Sequence, residues 1–217
     1  MELVLKFLKD LSKHNDREWF EKNKHRYLQA KETYENLIGD VLKEVVKFDD
    51  SLGNLEAKKL IFRIYRDVRF SKDKRPYKTN MGAGFSPNGK LVEEPGYYLH
   101  IEPGKSFVAG GIYMPNAGNL AKIRQEIDYN AEGFNKIVGS KKFKSLYKAF
   151  DVFDKLKTAP KGYPKDHPMI EVLKLKSIIV SKELSDKEVL DKKFAKTVGE
   201  HCRQIKPLND FIRNALA

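Results

Sequence analysis

The sequence predicts an α+β fold, a single domain in which an antiparallel sheet packs against long N- and C-terminal helices. Three observations lead there. Apolar side chains recur at three- and four-residue steps near both ends of the chain. β-formers gather between residues 59 and 114. The strands expected in that middle stretch follow one another without intervening helices, which favours antiparallel pairing. The 217 residues, 41% hydrophobic and 11% aromatic, suffice for one sizeable core and exclude disorder as the main state. The expected domain spans 1–217: helical over 2–48, sheet-rich over 59–114, helical over 116–150 and mixed over 151–217.

Val4, Phe7, Leu8 and Leu11 mark an amphipathic helix over 2–12. Asn15 or Asp16 is placed to cap the next helix. A stripe from Trp19 and Phe20 through Tyr27, Ala30, Tyr34, Leu37, Val41 and Val45 to Phe48 continues it, with a break at Asn23-Lys24. Asp49 to Asn54 reads as a loop. Leu60 to Val68 reads as a strand, and Gly82 to Ser86 as a second. Tyr97–Glu102 and Ser106–Tyr113 form a hairpin about Pro103-Gly104-Lys105. Helices resume after Pro115, on Leu120, Ile123 and Ile127, on Phe134, Ile137 and Val138, and on Phe143, Leu146, Tyr147 and Phe150. A short strand is expected within 151–158, a helix over 167–175 and a last strand over 177–181. Ser185 with Glu188 has the spacing of a capping box. It opens a helix lined by Leu190, Phe194, Val198, Cys202 and Ile205, expected to stop near Pro207, with a final turn at Phe211 and Ile212.

Several classes drop out. Apolar runs are as short as Ile178-Ile179-Val180, so no segment spans a bilayer and no membrane partner is expected. The first residues lack the basic lead and apolar stretch of an export signal. One cysteine, Cys202, allows no internal disulfide and no thiolate metal cluster. It points to a reducing cytoplasm, and its place on an apolar stripe makes it a core residue. The chain has no nucleophile elbow, no phosphate loop with Gly-Lys-Ser/Thr and no dinucleotide fingerprint. The sequence names no cofactor and fixes no oligomeric state.

The formal net charge is +12, yet residues 58–80 alone carry nine basic and two acidic side chains, a net of +7. Such a concentration attracts phosphate esters, carboxylates or nucleic acid. On a strand over 60–70, alternation places Arg63, Asp67 and Arg69 on one face, with Arg66 on the other. Asp67 is expected to orient its arginine neighbours, whose planar forks grip carboxylate or phosphate bidentately. Lys72, Lys74, Arg75 and Lys78 follow on a turn-rich loop. The competing reading is an ion-pair network among Arg63, Arg66, Asp67 and Asp73 that pins the loop to the helices.

His100 and Glu102 lie two apart on an expected strand and face the same way. With Asp67 they suggest a metal site or an acid–base pair, although such a pair on a sheet face is more often merely solvated or hydrogen-bonded. Tyr65, Phe70, Tyr77, Tyr97 and Tyr98 supply either stacking faces for bases or core side chains beneath the long helix.

Four strings carry a family resemblance. They are His14-Asn15-Asp16-Arg17-Glu18-Trp19-Phe20 with Asn23, Lys24 and Tyr27; Arg63 through Lys74 with Pro76-Tyr77-Lys78; Gly96 through Gly104; and Gly110-Gly111 with Pro115 and Arg124. Together they closely resemble the family known as domain of unknown function 2461, from about Leu3 to the C-terminal helix. The resemblance implies a cytoplasmic α+β domain and sets the family's strongest motif on the charge cluster, and it implies no particular activity.

The leading expectation is a protein that binds a phosphorylated or carboxylated small molecule through Arg63, Arg66, Asp67, Arg69, Lys72, Lys74 and Lys78. The first alternative is non-specific binding of single-stranded nucleic acid by the same residues. The second is a metal-assisted hydrolase built on Asp67, His100 and Glu102. Whether the protein is an enzyme stays open at this point.

Overall fold

The structure is a computed structural model that describes residues 1–91 and 93–217. Its helices are α1 (Glu2–Lys13), α2 (Arg17–Lys22), α3 (Lys24–Val46), α4 (Ala57–Leu60), α5 (Ala117–Tyr129), α6 (Ala131–Val138), α7 (Lys141–Leu146), α8 (Ile170–Leu173), α9 (Asp186–Leu190) and α10 (Phe194–Leu216). Its strands are β1 (Met81–Phe85), β2 (Gly96–Ile101), β3 (Ser106–Ile112) and β4 (Ile178–Leu184). They form one antiparallel sheet in the order β1-β2-β3-β4. Helices α3 and α10 pack against each other, and α10 lies along β3.

Local chemistry sets these boundaries. Asp16 caps α2 by accepting from the Trp19 amide at 2.8 Å. Asn23 divides α2 from α3, donating its side-chain amide to the Trp19 carbonyl at 2.9 Å. Between β2 and β3 the turn runs through Gly104, whose φ of +73° suits glycine. Ser185 and Glu188 close a reciprocal capping box at the start of α9.

Five expectations fail. The helix expected to run from Ser185 past Leu190 and Phe194 is two, α9 and α10, broken between Leu190 and Phe194. Residues 60–70 do not form a strand. Leu60 ends α4, and the rest makes only isolated bridges, Ile61 to Ala83 and Tyr65 to Tyr77. A longer ladder is blocked because Pro76 accepts from the Arg66 amide at 2.9 Å but has no N–H to return; on the far side of Tyr77, Asn15 takes both of its backbone groups, each at 3.0 Å. Residues 151–158 likewise make a single bridge, Lys155 to Leu175. The helix expected over 167–175 shortens to α8, since His167 Nδ1 accepts from the Met169 amide and holds a turn there. Conversely, α10 runs through Pro207 to Leu216. Turns on both sides of the proline are anchored by buried Cys202, Ile205, Leu208, Phe211 and Ile212, and that burial outweighs one lost backbone bond.

The sheet has two unlike faces. Toward the helices it presents Ala83, Phe85, Tyr97, Leu99, Val108, Ile112 and Val180, all buried. Gly110 lets α10 approach, since a Cβ there would meet the Ile205 side chain. The opposite face presents Gly82, Gly84, Tyr98, His100, Phe107, Ala109 and Ser181, paired across the ladder. Irregular chain covers it: Phe62 packs edge-on to Tyr98 at 6.1 Å, and Leu91 lies over Gly84.

Candidate functional site

Two structures share the arginine-rich segment, and they differ in how their charges are paired. In the outer part, residues 66–75, every arginine has a carboxylate partner. Arg66 donates to Asp73 at 2.8 Å and to the Arg75 carbonyl at 3.0 Å. Arg75 forks onto the same Asp73, with Nη2 at 2.7 Å. These guanidinium donors, Arg75 first, hold the Asp73 carboxyl far below the usual carboxylate range. Arg69 forks onto Asp67 through Nε at 3.0 Å and Nη2 at 2.7 Å, and Lys74 caps the Val68 carbonyl at 3.0 Å. The bridging carboxylate between two arginines is therefore Asp73. Asp67 serves Arg69 alone, and the face expected to unite Arg63, Asp67 and Arg69 does not exist, because there is no strand to create it.

The inner part is different. Lys78 and Lys90 both stand over the Phe62 ring, at 5.7 and 5.8 Å from its centroid. Burial, then the charges of Arg63 and Lys90, lower the Lys78 pKa. None of Arg63, Lys78 or Lys90 makes an ion pair among the described residues, and the two oxygens of the nearby Asp67 are occupied by Arg69. Lys72 is exposed at the edge of the outer part. The segment is fastened to the helices through Tyr77, which stacks on Phe20 at 4.0 Å while Asn15 brackets its backbone.

On the sheet beside Phe62 runs a row of hydrogen bonds. Thr79 Oγ1 donates to Glu102 Oε1 at 2.8 Å. Glu102 Oε2 lies 3.2 Å from His100 Nε2, and His100 Nδ1 lies 3.1 Å from Tyr98 Oη. Phe107 stacks on the imidazole at 4.6 Å. Burial lowers the His100 pKa, with Glu102 opposing and Lys78 assisting. Burial and the Glu102 charge push Tyr98 up to about 12.

His100 and Glu102 thus meet as expected, but Asp67 is not with them. Among the described residues no group of three or more His, Cys, Asp or Glu side chains gathers as a metal would need. Of the aromatics considered for stacking, Tyr77 and Tyr97 are core residues, Tyr98 is half-buried, and Tyr65 and Phe70 are exposed. Sequence reasoning missed Lys90, Thr79 and Phe107, and it left Tyr98 outside the His100–Glu102 pair. Tyr98 shares the two-residue spacing of that pair and was findable, whereas Lys90 reaches the site from a loop with no periodic signal.

The family model described as a conserved hypothetical protein (DUF2461) matches residues 3–211. The chain belongs to that family. Both parts of the arginine-rich segment and the Tyr98–His100–Glu102 row lie inside the DUF2461 match. The searches of curated proteins and of solved structures give no match. Among the described residues no helix is long and apolar enough to cross a membrane.

Proposed function

We propose that the protein binds a small phosphorylated or carboxylated molecule between Arg63, Lys78 and Lys90, beside the Tyr98–His100 row. One observation carries this reading: Lys78 and Lys90 stand over Phe62 with the Arg63 charge acting on Lys78, and none of the three makes an ion pair among the described residues. Like charges brought together in a partly buried place are costly, and an anion seated among them removes that cost. Of the residues expected to grip the ligand, Arg63 and Lys78 keep that role. Arg66, Asp67, Arg69 and Lys74 shape the loop that flanks it, and Lys72 adds charge at its rim. The lone buried Cys202 fits a cytoplasmic setting, where phosphorylated metabolites abound.

The test is thermal unfolding with inorganic phosphate and a panel of sugar phosphates and dicarboxylates. A ligand at a hundred times its Kd stabilises by about 2.7 kcal/mol, a rise of several degrees. Arg63→Ala and Lys78→Met should each abolish the rise, and Lys72→Ala should keep most of it. A rise that survives both inner substitutions sinks the reading.

A second reading, single-stranded nucleic acid, is favoured by Phe70, 96% exposed beneath the Arg69 guanidinium, and by Tyr65, 47% exposed. It requires oligonucleotide binding that falls steeply with salt and is lost in Phe70→Ala while the phosphate response persists.

A further inference from the structure

We propose that Tyr98 is a nucleophile activated by His100, so that this face of the sheet, beneath Phe62, carries out covalent transfer of a phosphoryl or acyl group from an anionic ester. The substrate class rests on the anion-binding reading, and the activation of Tyr98 rests on geometry alone. Each member of the row is oriented by the next. A carboxylate only accepts, so the proton of the imidazole sits on Nε2, facing Glu102 at 3.2 Å. The lone pair of Nδ1 therefore faces Tyr98 Oη at 3.1 Å, and the phenol donates to it. Thr79 fixes the other oxygen of Glu102, and Phe107 fixes the plane of the ring. This is the arrangement of nucleophile, base and orienting carboxylate that activates hydroxyl groups in unrelated folds. Tyr98 has room for it because residue 82 is glycine: a Cβ there would collide with the Tyr98 hydroxyl.

The charges around the row agree. Glu102 and Tyr98 on the same strand and Lys78 from the arginine-rich segment are the charged or titratable groups facing His100, while the neighbouring strands bring only Gly82 and Phe107. Burial keeps the imidazole neutral and able to accept a proton at pH 7. Tyr98, raised to about 12, holds no standing phenolate there, so its proton has to leave as the new bond forms. In that step the Tyr98 oxygen bonds to phosphorus or to the carbonyl carbon, and its proton passes to His100 Nδ1. The leaving group departs with the bonding pair and recovers that proton. Water then cleaves the tyrosyl ester by the reverse transfer. Arg63, Lys78 and Lys90 stabilise the developing negative charge. Tyr98 and His100 are the reacting pair, while Glu102 and Thr79 are positioning residues.

The experiment treats the full-length protein with phenylmethanesulfonyl fluoride, whose sulfur forms a bond to the tyrosyl oxygen as fluoride leaves and His100 takes the proton. Intact mass and peptide mapping should show one adduct, on Tyr98, and none in Tyr98→Phe. The labelling rate should be half-maximal below pH 6.5, the ordinary histidine value, and flat from there to mildly alkaline pH. His100→Gln should slow labelling about 100-fold, and Glu102→Gln less. An unlabelled Tyr98 overturns the proposal. So does a rate that climbs about tenfold per pH unit above neutrality, as an unassisted phenol requires. If His100→Gln fails to fold, the wild-type pH profile decides alone. Phosphate stabilisation measured on the same preparation keeps the two readings apart. Labelling without stabilisation leaves the tyrosine activated and removes the anion site, and stabilisation without labelling does the opposite.

Discussion

Tyr97 and Tyr98 are adjacent on one strand and point to opposite faces of the sheet, and their hydroxyls meet very different surroundings. Tyr97 is fully buried and donates to Asp49 at 2.8 Å. Asp49 also accepts from Ser51 at 2.6 Å and from Arg213 Nη2 at 3.1 Å. Burial alone would raise the Asp49 pKa, but these donors outweigh it and hold the carboxyl below its usual range. Every charge there has its complement, and the cluster ties β2 to the loop after α3 and to α10. Tyr98 instead ends a chain of four side chains that opens beside three unpaired cations. The lesson is that residue type does not separate structural from reactive polar groups. Pairing of the charges does: Asp49 and Arg213 answer each other in the core, whereas Lys78 and Lys90 beside the Tyr98 row have no ion-pair partner among the described residues.

The comparison breaks first at Asp49. Asp49→Ala leaves the Arg213 guanidinium with only the partly exposed Asp210, at 3.2 Å, and should cost about 3 kcal/mol, a fall in Tm of about 10 °C, whereas Glu102→Gln should barely move Tm. Equal losses at both sites would mean that both faces are scaffold. Next comes Gly82→Ala. The added methyl forces the Tyr98 hydroxyl aside at a cost of about 1–3 kcal/mol. The folded protein should keep its circular dichroism spectrum and lose Tyr98 labelling.

The smallest effect separates the faces by pH. The His100 pKa is lowered from 6.5 by folding, so its contribution to stability is complete above 6.5 and is lost as pH falls through the folded value. Asp49 is lowered from 3.8, so its contribution is lost only below that. His201, also lowered by burial, shares the upper window. Scans of Tm from pH 8 to 3 should therefore show two steps. His100→Asn should shrink the upper step and Asp49→Asn the lower one. A single step untouched by either substitution would erase the distinction.

Much of the fold was legible in the sequence because local signals and burial agree there. The Val4, Phe7, Leu8 and Leu11 stripe is buried in α1 as its spacing requires. The Pro103-Gly104 turn and the Ser185–Glu188 box lie where their chemistry places them. The failures arose where distant groups override local preference. Residues 60–70 have strand composition, but the segment they meet brings Pro76, which cannot donate back to Arg66, so the pairing stops at one bridge. Pro207 signals a stop that burial on both sides cancels. In the site, the concentration of charge was visible, but its division was not. That Asp73 serves Arg66 and Arg75 while Arg63 has no ion-pair partner depends on a loop path that no periodicity encodes.

Ion pairing in the 66–75 loop satisfies arginines without changing their sum. Where salt is low and the screening distance grows to about 30 Å, residues 58–80 still present their net +7. At contact range, Arg63, Lys78 and Lys90 are without an ion-pair partner among the described residues. Capture and grip are thereby assigned to different side chains. On the proposed anion-binding reading, the net-positive loop would draw an anion in at low salt and speed its arrival, and Arg63, Lys78 and Lys90 would set how long it stays. Charge reversal far out on the loop should slow association at low salt, while loss of Lys78 should quicken departure at any salt.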